Sequence, residues 1–261
     1  MPTDPLYRID YQGTPRYALH RSQGWYLLNG DPFGVHTVGA ALDTDAPQLL
    51  APVLPSKIVA VGLNYRDHAA EMNKPLPAEP LIFLKPSTAV IGPGSAIVIP
   101  SGAGRVDYEA EVGVVIGKTA RNVAAADAHE YVLGLTCVND VSDRDLQRRD
   151  IQYTRAKGFD TFAPVGPCVA ACDIDRAIAV GSRVNGETRQ QSSTSELIFS
   201  IRHLIAFVTR VMTLLPGDII STGTPPGVGP LAPGDEVVIA VEGVGELVNH
   251  VTASGAPSTQ A

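Results

Sequence analysis

Asp107-Tyr108-Glu109-Ala110-Glu111-Val112-Gly113-Val114-Val115-Ile116-Gly117 is the stretch on which the reading of this chain turns. β-branched residues crowd its second half and Gly117 closes it, the pattern of a strand. Side chains two apart on a strand leave the same face, so Glu109 and Glu111 project together, roughly 7 Å apart at the backbone. Two carboxylates that close repel each other unless a cation, a proton or a Lys or Arg stands between them. Alternation alone leaves two destinations open for the pair, solvent or a shared cation.

Composition narrows the setting. The 261 residues suffice for one large domain, or a main domain with a smaller addition. With 44% hydrophobic and 18% charged residues the chain is globular, and its 21 Pro and 25 Gly imply many tight turns between short strands. A formal charge of -7 with no basic cluster argues against non-specific nucleic-acid binding, which needs Lys and Arg to replace phosphate counterions. Three cysteines are too few for a disulfide framework: Cys137 reads as a small buried hydrophobe, and only Cys168 and Cys172 are close in sequence. No apolar run is long enough to span a membrane, and Met1-Pro2-Thr3-Asp4 does not read as a signal peptide, so the expected setting is cytoplasmic.

Outward from the central stretch, short strands dominate. Upstream lie Ile58 to Gly62, Leu81 to Leu84 and Ile97 to Pro100; Asp67 to Met72 reads as a short helix, and Lys74 to Pro80 as a loop. Downstream, a modest helix over Ala124 to Tyr131 precedes a strand, Val132 to Asn139, that delivers Asp140 at its end. Ser142 or Asp143 then caps a helix through Leu146 and Ile151. Ser193-Thr194-Ser195-Glu196 is a capping box before Leu197, Ile201, Leu204, Ile205 and Val208 at helical spacing. Pro-Gly-Asp turns at 216–218 and 233–235 open two further strands. Residues 1–54 read as a small strand-rich subdomain with strands at Tyr7 to Asp10, Arg16 to His20 and Trp25 to Leu28 and a linker from Asp43 to Pro55; Trp25 reads as core. The main domain is expected over 55–252 and a flexible tail over 253–261. The class is β-rich α+β, without the strand-helix alternation of a doubly wound sheet.

Three groups carry possible chemistry. Carboxylate ligands suit a hard cation, Mg2+ or Mn2+, and Asp140 is the natural third partner for Glu109 and Glu111; Asp107 is a weaker candidate at the rim. His68 and Glu71, three apart on a helix, share a face and can form a carboxylate-imidazole pair, either a general base or an ordinary surface pair. Arg144, Gln147 and Lys157 follow Asp140 closely enough to bind an anion, or are plain surface residues of a charged helix. The Thr222 to Gly229 loop offers backbone N–H groups and the Thr224 hydroxyl, yet it has no P-loop ending. Neither G-x-G-x-x-G nor a G-x-S-x-G elbow occurs, so nucleotide binding and serine-hydrolase chemistry lack support.

Six motifs stand in order: Gly62-Leu63-Asn64-Tyr65 with His68 and Glu71; Phe83-Leu84-Lys85-Pro86-Ser87; Asp107 to Glu111; Asn139-Asp140-Val141-Ser142-Asp143-Arg144-Asp145; Lys157-Gly158-Phe159-Asp160; and Thr222-Gly223-Thr224-Pro225. Their order and spacing, from about Lys57 to Val251, resemble the fumarylacetoacetate hydrolase family. The resemblance implies a mixed β-roll or sandwich, a homodimer, and Mg2+ or Mn2+ held by Glu109, Glu111 and Asp140. It implies His68-Glu71 as the water-activating dyad, Lys157 as the group that polarises substrate, and Arg144, Gln147, Thr224, Tyr65 and Lys85 in substrate contacts. It also implies a lid that carries the dyad.

The members it resembles most are the 2-hydroxyhepta-2,4-diene-1,7-dioate and 5-carboxymethyl-2-hydroxymuconate isomerases of aromatic-acid catabolism. The resemblance thus implies an enzyme acting on an enolisable 2-oxo acid through an enolate. Reprotonation gives isomerisation, loss of CO2 gives decarboxylation, and attack by water gives C–C hydrolysis. An acylpyruvate hydrolase and an oxaloacetate decarboxylase or tautomerase stand as alternatives, and a non-catalytic metal-stabilised fold as a remote one.

Overall fold

The computed structural model describes residues 4–255. Strands predominate and form three sheets, none closed into a barrel. The largest has twelve strands, ten of them in the order His36–Ala41, Gly24–Gly30, Thr14–Arg21, Leu6–Tyr11, Ala163–Ala170, Val132–Asn139, Ala110–Ile116, Ile219–Ser221, Lys57–Val61, Ile82–Pro86, with Leu49–Leu50 paired to Leu6–Tyr11 and Val90–Ile91 to Ala163–Ala170. A five-stranded sheet runs Glu187–Ser193, Ala179–Val184, Glu236–Val241, Gly245–Ala253, Ala96–Ile99, and a three-stranded one Ser142–Asp143, Val106–Tyr108, Gly229–Pro230.

The strand Ala110–Ile116 is buried along its whole length, as a strand covered on both faces must be, and its apolar run follows from that. Ala110, Val112, Val114 and Ile116 enter one core and Val115 enters a second with Val138, Val165 and Ile219, the two-residue alternation expected. Gly113 allows close packing on the second face: a Cβ there would meet Val138 Cγ2 at 2.6 Å and Thr136 Cγ2 at 2.9 Å.

The structure corrects the single strand expected over Asp107 to Gly117. Val106–Tyr108 pairs in the three-stranded sheet and Ala110–Ile116 in the large one, so the chain passes between sheets at Glu109. There the Glu109 N–H donates to Asn139 Oδ1 (3.0 Å) and its carbonyl accepts from the Asp140 N–H (2.9 Å). Ladder partners are lost at the crossing, and a buried backbone group must find another.

The capping box at 193–196 closes only a 3-10 turn, Thr194–Glu196; the helix is Ile201–Val211, capped by Ser200. Asn64 holds the intervening chain extended: its carbonyl accepts from the Ile198 N–H (2.8 Å) and its Oδ1 from the Phe199 N–H (2.8 Å). Ile201, Leu204, Ile205 and Val208 are nonetheless buried as expected. Asp143 caps Arg144–Arg149, accepting from the N–H groups of Asp145 (2.9 Å) and Leu146 (3.0 Å). That helix stops before Ile151, whose φ of 61° lies in the left-handed region and whose side chain is 90% exposed. The modest helix at 124–131 is a 3-10 helix, Ala125–Tyr131.

The N-terminal strands continue the main sheet through Leu6, opposite Val169, and Leu6, Leu19 and Leu28 share the second core. Inside the expected linker, Leu49–Leu50 pairs with Leu6–Tyr11. Ala253, placed in the tail, pairs with Ile99, and the Ser254 N–H donates to the Ile99 carbonyl (2.9 Å); 256–261 lie outside the described residues. Among those described, no helix is long and apolar enough to cross a membrane, and Cys137, Cys168 and Cys172 are free thiols.

Candidate metal and active centre

Glu109 sits at the crossing between sheets, Glu111 two residues into the buried strand, and Asp140 just past the end of the neighbouring strand Val132–Asn139. Each offers a carboxylate oxygen within 4.8 Å of the others, and all three are buried. The solvent alternative for the Glu109-Glu111 pair is therefore ruled out.

Their surroundings differ sharply. Glu109 lies between cations, 2.6 Å from Arg144 Nη1 and 2.8 Å from Lys157 Nζ. Burial pushes its carboxyl up, but Lys157 and then Arg144 outweigh burial and hold it at about 2. Glu111 has only neutral donors, the Ser221 hydroxyl (2.6 Å) and the Gly223 N–H (2.9 Å), both to Oε2. Burial, reinforced by the charges of Asp140 and Glu109, pushes it up to about 8. Asp140 accepts from Lys85 Nζ at Oδ1 (2.5 Å) and from Lys157 Nζ at Oδ2 (2.6 Å).

Lys157 also donates to the Ser142 hydroxyl (2.7 Å), so its three donors are all engaged, and it lies 5.1 Å from the centre of the Phe83 ring. Its burial favours the neutral amine, yet Asp140 and Glu109 win and raise its pKa. Lys85 is different: desolvation dominates and lowers it. All the metal-site donors are oxygens on buried carboxylates, one of which resists ionisation without a cation. That donor set fits a hard divalent ion such as Mg2+ or Mn2+.

Glu109 and Glu111 line a cleft of about 660 Å³, and Asp140 is buried beside them without lining it. The helix Arg66–Glu71 lines the same cleft, and on it His68 Nδ1 lies 2.8 Å from Glu71 Oε2. A carboxylate only accepts, so this contact makes Nδ1–H the donor and leaves Nε2 as the open nitrogen. The Gly227 N–H holds Glu71 Oε1 (3.1 Å), and Asp67 ties the helix start to the Ser192 hydroxyl (2.5 Å).

His68, Glu71, Glu109, Glu111, Lys157, Arg144, Gln147 and Thr224 all line this one cleft. Two expected substrate contacts do not. Lys85 is fully buried and is spent behind Asp140, donating also to the Val141 carbonyl (3.2 Å). Tyr65 is fully buried in the core. Motif membership alone points to both, and it does not distinguish a wall residue from one beneath it. Thr224 lines the cleft, but its hydroxyl already donates to the Ala110 carbonyl (2.9 Å) and accepts from Gln190 Nε2 (2.8 Å).

Gln190 escapes a reading of the sequence. Its Oε1 accepts the Ala110 N–H (3.0 Å), so it holds the backbone between the two glutamates. It stands in a polar strand, Glu187–Ser193, with no spacing relation to the site, and no sequence signal marks it. Asn139, which holds Glu109, lies inside a quoted motif and is legible by its place before Asp140.

Comparison with known proteins agrees with this architecture. The fumarylacetoacetate (FAA) hydrolase C-terminal family matches residues 57–252. The crystal structure of 2-hydroxyhepta-2,4-diene-1,7-dioate isomerase from Mycobacterium marinum superposes with a TM-score of 0.89 at 40% identity, over 97% of this chain and 99% of that one. A mitochondrial oxaloacetate tautomerase of Bos taurus is 43% identical over 234 residues, 82% of this chain and 74% of its own. Fumarylpyruvate hydrolase from Pseudomonas aeruginosa, solved with Mn2+ and pyruvate, superposes with a TM-score of 0.72 at 34% identity, over 81% of this chain and 94% of that one.

Proposed function

This chain belongs to the fumarylacetoacetate hydrolase family and is an enzyme of it; we propose that it isomerises a 2-hydroxyhepta-2,4-diene-1,7-dioate type of substrate with Mg2+ or Mn2+ bound. The observation that carries the reading is the one cleft lined by His68, Glu71, Glu109, Glu111 and Lys157, with Asp140 buried beside it and tied to Glu109 through the Lys157 ammonium. Glu109, Glu111 and Asp140 would hold the cation, which supplies Lewis acidity toward the carboxylate and 2-oxygen of a 2-oxo acid.

The chain's own groups do the rest. Lys157, placed by Glu109, Asp140 and Ser142, offers positive charge where negative charge develops on the 2-oxygen as a carbon-bound proton leaves. His68 Nε2 is the atom that takes and returns a proton, and Glu71 holds the ring through Nδ1 so that Nε2 is the nitrogen left open. Arg144 and Gln147 line the same wall and orient the substrate carboxylate. Isomerisation and tautomerisation need only this relocation of a proton; hydrolysis needs water at His68 as well. The likeness to the oxaloacetate tautomerase and to the fumarylpyruvate hydrolase supports tautomerisation, decarboxylation or acylpyruvate hydrolysis as the second reading. The accompanying expectations are a cytoplasmic homodimer, a place in aromatic-acid catabolism, and a division at about residue 54.

The test is a Mg2+-supplemented assay over the heptadienedioate, oxaloacetate and acylpyruvates, repeated with His68→Ala. Isomerisation of the heptadienedioate above the other activities is the expected result, and both that isomerisation and any hydrolysis should fall on the order of 10²–10⁴-fold in the variant. No turnover of any of these, with Glu109→Ala changing nothing, overturns the reading.

A further inference from the structure

One corner of the cleft has no part in that chemistry. Asp107 is 1% exposed, and its carboxylate is shared by two guanidinium groups. Arg105 binds it along one edge, Nε to Oδ1 (2.7 Å) and Nη2 to Oδ2 (3.1 Å), while Arg144 Nε also reaches Oδ2 (2.9 Å).

The two arginines are then left in different states. Arg144 spends Nη1 on Glu109 Oε1 (2.6 Å) and Gln147 Oε1 (2.9 Å), which leaves only Nη2 without a protein partner among the described residues, on a side chain that is 14% exposed. Arg105 has its remaining nitrogen, Nη1, without a protein partner among the described residues, its side chain is 52% exposed, and it lines the cleft. A guanidinium held along one edge and open along another is organised in advance for a carboxylate, because the rotamer freedom an exposed arginine would lose is already spent.

Other cations at the mouth lack this support. Arg148 is tied to Asp145 in an exposed pair, and Lys74 lies past the end of the dyad helix without an ion pair among the described residues. Five cationic and four carboxylate side chains line the cleft, so a bound divalent cation leaves it positive and better matched to a dianion than to a monoanion.

We propose that Arg105 receives the distal carboxylate of a 2-oxo diacid, with Asp107 as the residue that positions it. The proposal rests on the reading of the cleft as a 2-oxo acid site and adds the residue that receives the far carboxylate. Arg105 is then the determinant that separates diacids from acids with an apolar end.

Binding of a matched seven-carbon pair to the Mg2+-loaded protein tests this without turnover. 2-Oxoheptanedioate and 2-oxoheptanoate differ only at the far end, and their affinities are read by calorimetry for the native chain, Arg105→Gln and Arg105→Lys. The native chain should prefer the diacid by roughly 10–100-fold, the range of a charge-assisted hydrogen bond. Arg105→Gln should erase that preference and leave the monoacid within about twofold, and Arg105→Lys should restore part of it. Equal affinities in the native chain, or a preference that survives Arg105→Gln, overturn the proposal alone. Failure of the native chain to bind either acid overturns the 2-oxo acid reading and this assignment with it.

Discussion

The strands Leu6–Tyr11, Thr14–Arg21 and Gly24–Gly30 form a meander in which each pairs with its sequence neighbour. Their burial is partial, with Ile9, Ala18 and Trp25 making a small separate core. The strands Ala110–Ile116 and Val132–Asn139 of the same sheet are enclosed almost completely, and three buried carboxylates gather at their ends. One sheet thus has an outer region that is apolar packing and turns, and an inner one where charge is kept out of water. The candidate site sits in the inner region, where burial makes each charge consequential: an ion pair that would be nearly neutral at the surface becomes costly to break.

Paired substitutions sharpen that contrast. Lys157→Met strips the ammonium from Glu109 and Asp140 and should lower turnover on the order of 10²–10³-fold, with a stability loss of about 3–5 kcal/mol. Trp25→Ala in the meander should cost about 3 kcal/mol through lost packing yet leave kcat/KM within about twofold. Urea unfolding and initial rates on the same samples decide it; a large kcat loss from Trp25→Ala would break the separation between the regions. A smaller effect tests the helix start. Ser200→Ala should cost about 1 kcal/mol, and Ser193→Ala clearly less, because Ser193 closes a single 3-10 turn; equal costs would contradict the assignment of the cap.

The same contrast explains what can be read from the chain. The meander is legible because its turns, around Gly13 and Gly24, are local and its strands pair in sequence order. The triad and dyad are legible because their residues lie within a few positions of one another or at a strand end. The break at Glu109 is not, since it depends on Asn139, Gln190 and Thr224, which arrive from three other segments. The extended chain at 197–200 is hidden for the same reason: Asn64 imposes it from far away in sequence. Lys85 and Tyr65 show the remaining limit. A motif tells which residues gather at a site and not which of them face the cleft.

The central claim is that Glu109, Glu111 and Asp140 form one cation site, and Glu111 gives it a signature. Its folded pKa of about 8, from burial first and then Asp140 and Glu109, lies above the unfolded value of about 4.3. The metal-free fold therefore holds an extra proton between those values, and its stability falls as pH rises through that window. A bound cation should drive the proton off. The most direct measurement is calorimetric titration with Mn2+ at pH 7 in buffers of different ionisation enthalpy, for the native chain and Glu111→Gln. One Mn2+ per chain with release of close to one proton, the release fading above about pH 9 and absent in the variant, is the predicted result; no saturable binding, or the same proton release from Glu111→Gln, would contradict the account.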